Sequence, residues 1–251
     1  MKKIAWVTGG SKGLGKSITQ ELLKDGRSVA ISSRNLIELE TVAEELGNFK
    51  GEVRAYPLDI ADNEEVERTV NIIEKDLGQI NLAILNAGTY IRFGADEFTT
   101  ELFKEQININ LLGTVNCLVA VLNIFKVRKS GHIAVVSSLS AYRGLPYASA
   151  YGASKAALSN ICESLKPELD NLNIHLSLIH PGFVRTPLTN KNDFQMPFII
   201  ESEVAAKEIV KGISLKKFEI SFPVRFVIIM KLLRILPYWL YFKITKMLVR
   251  R

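Results

Sequence analysis

Tyr151 and Lys155 stand four residues apart in YGASKAAL, a segment rich in helix formers. Four residues is slightly more than one helical turn, so both side chains rise from one face. An ammonium beside a phenol favours the phenolate and lowers the tyrosine pKa from its usual value of about 10. Such a pair can give or take a proton near neutral pH. Ser138 lies 13 residues before Tyr151, at the end of the apolar run HIAVVSS. A hydroxyl at such a strand end faces the ligand crevice of an open α/β sheet. The Tyr-x-x-x-Lys spacing also arises on ordinary surface helices, so its meaning depends on its companions.

The main companion is TGGSKGLG, Thr8 to Gly15, which follows another short apolar run. Gly9, Gly13 and Gly15 permit a sharp turn and a close approach to a pyrophosphate, with a helix N-terminus facing the negative charge. The same loop also fits GxxxxGKS, through Gly10, Gly15, Lys16 and Ser17. In that reading Lys16 meets a phosphate and Ser17 a magnesium ion. A merely tight turn is the third reading. A phosphotransferase of that type also needs an acid after an apolar strand. INLAIL ends in Asn86-Ala87-Gly88 without a carboxylate, and the run ending at Asp59 contains Arg54 and Pro57. Another position bears on the choice of dinucleotide. An acid about 20 residues past the glycines binds a ribose 2′-hydroxyl. Here the second strand ends Ser32-Ser33-Arg34, and the first acid is Glu38, one turn into the next helix. Arg34, joined by Lys12 from the glycine loop, suits a 2′-phosphate and points to NADP(H).

These groups need a scaffold that brings several chain ends together. Strand-like runs at 4–7, 28–33, 51–59, 80–88, 132–138, 173–182 and 218–222 alternate with helical stretches at 14–24, 36–47, 63–77, 99–127, 151–169 and 202–215. Short apolar strands separated by helices indicate a doubly wound α/β fold. The expectation is a seven-stranded parallel, Rossmann-like sheet with helices on both faces. Residues 1–222 read as one catalytic domain and 223–251 as a basic, apolar helical tail.

A chain of 251 residues suits one large α/β domain, and 47% hydrophobic with 23% charged residues excludes a mostly disordered chain. Two cysteines cannot build a disulfide scaffold, and three scattered histidines show no metal spacing, so no metal centre is expected. The net charge of +6 is uneven: residues 220–251 hold seven basic side chains and no acid, leaving 25 basic against 26 acidic before them. The body therefore gives no ground for nucleic-acid binding. The N-terminal apolar run is too short for a signal peptide and reads as a buried strand. Residues 226–242 are mostly apolar but interrupted by Lys231, Arg234 and Pro237, which argues against a bilayer span.

Together these motifs resemble the short-chain dehydrogenase/reductase family in its compact form, over residues 2 to about 222. The family's TGxxxGxG loop matches Thr8, Gly9, Gly13 and Gly15, with Ser11, Lys12 and Leu14 between them. Asp59 before Ile60 matches its adenine-side position, and Asn86-Ala87-Gly88 its NAG sequence. Asn110, Ser138, Tyr151 and Lys155 match its tetrad. Pro181-Gly182, Val184 and Thr186 match the segment beside the nicotinamide carboxamide. The resemblance implies an NADP(H)-dependent oxidoreductase that interconverts a carbonyl and a secondary alcohol. It implies Tyr151 as the general acid or base and Ser138 as the group that polarises the substrate oxygen. Lys155 would bind the nicotinamide ribose and lower the tyrosine pKa. Asn110 would hold a helix kink and a water. The likeness decides the loop against a P-loop phosphotransferase. The complete tetrad speaks against the other alternative, a non-catalytic nucleotide-sensing or scaffold protein on the same fold.

The loop after Pro181-Gly182 is apolar at Phe194, Met196, Pro197 and Phe198, with Lys191 and Asp193 as its strong charges, which favours a small apolar or lipid-like substrate. Tyr142 and Tyr147 read as pocket walls or as cover for a loop. An apolar stripe of Val115, Leu118, Val119, Leu122 and Phe125 suggests a homodimer or homotetramer through the helices carrying Asn110 and Tyr151. The tail should form two helices broken at Pro237. Its apolar, aromatic and basic mixture fits an anionic membrane surface, with a substrate lid or a subunit contact as alternatives. The expected location is cytoplasmic, peripheral on the inner face of a membrane.

Overall fold

A computed structural model describes residues 3–249 of the chain. Its first half alternates β1 (Ile4–Thr8), α1 (Gly13–Lys24), β2 (Ser28–Ser33), α2 (Leu36–Glu45), β3 (Val53–Pro57), α3 (Asn63–Asp76) and β4 (Ile80–Leu85). The second half runs α4 (Thr100–Ile107), α5 (Gly113–Arg128), β5 (Gly131–Val136), α6 (Ser149–Asn171) and β6 (Ile174–Pro181). Two short strands, β7 (Val184–Arg185) and β8 (Ile200–Glu201), precede α7 (Ser202–Ser214) and β9 (Glu219–Phe222). The helices α8 (Val224–Ile235) and α9 (Tyr238–Thr245) follow and meet at Pro237. Arg250 and Arg251, counted among the tail's basic residues, lie outside the described residues.

Seven strands form one parallel sheet in the order β3-β2-β1-β4-β5-β6-β9. This is the expected doubly wound sheet with a C-terminal helical extension. β1, β2, β4 and β5 are buried almost throughout, because helices cover both faces. One core cluster joins Trp6, Ile80, Phe125 and Leu158 beneath α3, α5 and α6. The opposite cluster joins Val7, Ile18, Leu39 and Ile209 beneath α1, α2 and α7. The chain reverses its winding between β1 and β4, so the loops after these strands part and open a crevice at their carboxyl ends.

Two local expectations change, and the histidines gain a place. The helix expected over 99–127 is broken by a π-helical turn at Asn108–Leu112 between α4 and α5. His132 and His175 face each other near the starts of the paired interior strands β5 and β6. Leu118 and Phe125, expected on an intersubunit stripe, are spent on the chain's own core, while Val119 stays exposed. By length and composition the helical stretch Thr100–Arg128 could cross a bilayer, but its Cys117, Leu118, Val121 and Phe125 are packed against the sheet.

Candidate active site

The glycine loop connects β1 to α1 with Gly9 and Gly13 at φ of +68° and +53°, a region that favours glycine. At Gly15 a Cβ would drive into the Gly9 carbonyl, so only glycine lets the helix start this close to the strand. The N-terminus of α1 carries no side-chain cap and no acid in its first turn. Among the described residues its first N–H groups have no side-chain partner, and the positive helix end at the crevice fits a pyrophosphate. The loop is braced from β4. The Asn86 side chain donates to the Thr8 carbonyl at 3.0 Å and the Gly9 carbonyl at 3.3 Å, while the Thr8 hydroxyl accepts from the N–H groups of Asn86 and Ala87. Thr186, after β7, sits over the loop: a Cβ on Gly13 would meet it at 3.1 Å. Val184 is buried in the β7–β8 pair that carries this segment, and Pro181-Gly182 ends β6 against Phe222.

The P-loop alternative fails on geometry. Lys16 turns outward and pairs with Glu45 on α2. The Ser17 hydroxyl donates to Ser202 on α7 at 2.9 Å, away from any magnesium site in the crevice.

The structure also places an acid that spacing had put out of reach. Glu38 folds back from the first turn of α2, accepting from the Ser11 hydroxyl at 3.1 Å and from the Lys12 ammonium at 3.2 Å. The Lys12 hydrogen bond holds the Glu38 carboxyl below its ordinary pKa, against a smaller opposing effect of burial. Lys12 is thus engaged, and Arg34 is the cation at the β2 end outside any ion pair among the described residues. Asp59 spends one carboxylate oxygen on the Ala61 N–H at 3.0 Å, in the turn before α3. The Ile60 side chain goes into the core against Gly113, and its carbonyl accepts from the Asn116 side chain at 2.9 Å.

Ser138 begins the loop after β5, and α6 brings Tyr151 and Lys155 beside it. Lys155 is anchored by donating to the Val136 carbonyl at 2.8 Å. Its ammonium lies 5.7 Å from the Tyr151 ring centroid. A Cβ on Gly88 would stand 3.1 Å from Asn110 Oδ1 and 3.6 Å from Lys155 Nζ, so Gly88 keeps the space before both groups open. Asn110 occupies the π-helical turn, where its side chain accepts from the Thr89 N–H at 2.7 Å and donates to the Thr89 carbonyl at 2.9 Å. It also donates to Ser154 on α6 at 3.3 Å. The widened turn is what lets a buried helix residue reach a loop backbone.

The electrostatics reverse one expectation. Burial pushes Tyr151 up to about 12, with a hydrogen bond from Ser138 opposing the rise. Burial pulls Lys155 down to about 8. Loss of solvation at the half-buried phenol and the buried ammonium sets both directions, since each charged form is disfavoured away from water. Tyr151 therefore carries its proton at neutral pH, the state a proton donor needs.

Sequence reasoning passed over Tyr90 and Arg92, and left Tyr142 and Tyr147 open between pocket wall and loop cover. Tyr90, two residues after Gly88, meets the Tyr151 ring edge-on at 5.0 Å. Arg92 lies over the Tyr147 ring at 4.2 Å and pairs with Asp193 at 3.2 Å. Tyr142 turns from the pocket, donates to Glu219 and packs on His180 at 4.8 Å. For Tyr90 the one sequence signal was its proximity to the NAG run.

A family model for short-chain dehydrogenases matches residues 3–196. An uncharacterized oxidoreductase of Myxococcus xanthus is 33% identical over 235 residues, covering 94% of this chain and 93% of its own. The chain belongs to the short-chain dehydrogenase family. An oxidoreductase of Botryotinia fuckeliana is 34% identical over 203 residues, covering 80% of this chain and 72% of its own. Among solved structures, an alcohol dehydrogenase of Thermococcus sibiricus complexed with 5-hydroxy-NADP superposes with a TM-score of 0.80 at 26% identity, covering 88% of this chain and 96% of that one. A family structure from Burkholderia phymatum in complex with NAD shares the fold, with a TM-score of 0.85 at 18% identity over 92% of each chain. As a short-chain dehydrogenase, the protein is an oxidoreductase that works with a nicotinamide dinucleotide on a carbonyl or alcohol.

Proposed function

We propose an NADP(H)-dependent enzyme that interconverts a carbonyl and a secondary alcohol on a small apolar or lipid-like molecule. The observation that carries this reading is the meeting of half-buried Ser138 and Tyr151 with buried Lys155 beside the uncapped N-terminus of α1. The nicotinamide dinucleotide supplies the hydride in reduction and takes it in oxidation. The residues that would hold it are the loop from Gly9 to Gly15 at the pyrophosphate, Asp59 and Ile60 at the adenine side, Asn86 to Gly88 along the crevice, and Pro181 to Thr186 near the carboxamide. Tyr151 Oη donates a proton to the substrate oxygen in reduction and receives it in oxidation. Ser138 Oγ donates a hydrogen bond to the same oxygen and fixes its position. Lys155, held by the Val136 carbonyl, would bind the ribose and keep positive charge beside the phenol as it ionises. Asn110 holds the turn that keeps Lys155 and Thr89 in register.

The preference for NADP(H) rests on Arg34 in the place of a ribose-binding acid. Dissociation constants for NADPH and NADH test it directly. NADPH should bind more tightly, and Arg34→Asp should reverse the order; equal affinity in the parent protein ends this reading. A homodimer or homotetramer, and a cytoplasmic enzyme peripheral to a membrane, complete the proposal. The exposed Leu112 and Val119 on the Asn110 helix support the first, and the composition of the tail supports the second.

A further inference from the structure

α8 has two unlike sides. On its inner side Val227 and Met230 are buried against Leu139 and Tyr142, immediately after Ser138. Phe226 stacks on Phe183 at 5.5 Å and reaches Phe198 at 6.2 Å, so α8 also backs the apolar substrate loop. On its outer side Ile228, Leu232 and Ile235 are exposed, and α9 continues the surface with Tyr238, Trp239 and Phe242. Ile235 and Trp239 are 76% and 71% accessible, which is far from the norm for residues of this kind. Contiguous exposed apolar surface of this sort marks a contact face.

Charge identifies what the face meets. Arg225, Arg234, Lys243 and Lys246 border it, all exposed, and no acid follows Glu219 in the sequence. Lys231, paired with Glu219 at 2.9 Å, is the tail's one cation in an ion pair among the described residues. A second copy laid face to face would set these cations against themselves. An anionic lipid surface satisfies both the cations and the apolar side chains, and aromatic side chains favour the interfacial layer. α8 has 12 residues, which is too short to span a hydrocarbon core of about 30 Å. It must lie along the surface.

We propose that the outer face of α8 and α9 docks on an anionic bilayer and sets the mouth of the carbonyl site at the lipid surface. The second clause rests on the reductase reading above. The two sides of α8 make the connection: lipid against one side, the substrate loop and the Ser138 loop against the other. Arg143 ties the same loop to the helix junction, donating to the Arg234 carbonyl at 2.8 Å and the Leu236 carbonyl at 3.3 Å. An apolar carbonyl compound dissolved in the membrane thus reaches the site without crossing water.

The test uses the full chain, co-sedimented at low salt with vesicles of phosphatidylcholine alone and of phosphatidylcholine mixed with phosphatidylglycerol. The parent protein should sediment with the mixed vesicles and stay in solution with the neutral ones. Lys243→Glu combined with Lys246→Glu should lower partitioning about thirtyfold or more, from the loss of two surface cations. Trp239→Ser combined with Phe242→Ser should also abolish sedimentation. These side chains are exposed, so NADPH binding and reduction of a short water-soluble aldehyde should remain at parental levels. Equal sedimentation of parent and charge-reversed protein overturns the proposal, as does no sedimentation with either vesicle. A fall in mass of the Trp239/Phe242 variant by light scattering would instead assign the face to another copy, and also overturns it. Vesicle binding without NADPH-dependent turnover of any carbonyl would refute the reductase reading and with it the placement of the mouth, while leaving the docking face intact.

Discussion

Tyr151 and Lys155 owe the direction of their shifts more to lost solvation than to each other. Burial holds the phenol neutral, near 12, and favours the neutral amine of Lys155, near 8. If Tyr151 Oη carries the proton, Tyr151→Phe should lower kcat by about 10²–10⁴-fold. NADPH binding, followed by fluorescence, should stay normal because the ring still packs on Tyr90. Retained turnover within about tenfold would remove Tyr151 from the mechanism. Lys155 makes a separate prediction about stability. Its folded pKa of about 8 lies below its unfolded value, so between these values the unfolded chain binds more protons. Stability of the cofactor-free protein through this group should therefore rise with pH from about 8 to about 10.4. Thermal melting of the parent protein and of Lys155→Met across that window measures it. A parallel pH response in the two would show that Lys155 does not titrate there.

At the scale of elements, each catalytic candidate is held by something outside its own segment. The π-helical turn lets Asn110 bind Thr89 and Ser154 at once. Behind α6, the Ser137 hydroxyl donates to the Lys155 carbonyl at 2.8 Å, and Ser159 links Ser137 to His180. The Ser138–Tyr151 loop is restrained from the far side by the tail: the Arg143 guanidinium lies 4.6 Å from the Tyr238 ring and 4.5 Å from that of Tyr241. Tyr241 in turn donates to the Gly144 carbonyl. Arg143→Ala removes two hydrogen bonds and two ring contacts, and should cost about 1–3 kcal/mol. Limited proteolysis should then cut α9 sooner than in the parent protein. Unchanged cleavage and melting would mean that the tail is held by its apolar side alone.

For the whole molecule, the sheet order puts the glycine loop and the Asn86–Gly88 turn on either side of the switch point, with the Ser138 loop one strand further on. Residues scattered from 9 to 186 thereby reach one crevice. The helices carrying Asn110 and Tyr151 lie on one side of that sheet, where Leu112, Val119 and Val127 are left exposed. Pairing through this side should give a species of two or four 28.0 kDa chains by light scattering at micromolar concentration. A single-chain mass under those conditions would remove the oligomer from the proposal.

Strand positions, the doubly wound architecture and the break at Pro237 were legible in the sequence, because apolar periodicity and proline geometry act locally. So was the Tyr151–Lys155 pair, since helical spacing alone puts both on one face. Their protonation was not: a charge's neighbours can be read from spacing, but its exposure to water depends on what the rest of the chain lays over it. The same limit hid Glu38. Its place one turn into α2 seemed remote from the glycine loop, yet parallel pairing of β1 with β2 brings the two loops side by side. Composition marked the tail as apolar and basic. Only packing against Leu139 and Phe183 decided which face of α8 turns inward and which is left for a partner, because that choice is made by surfaces that meet only after the sheet has formed.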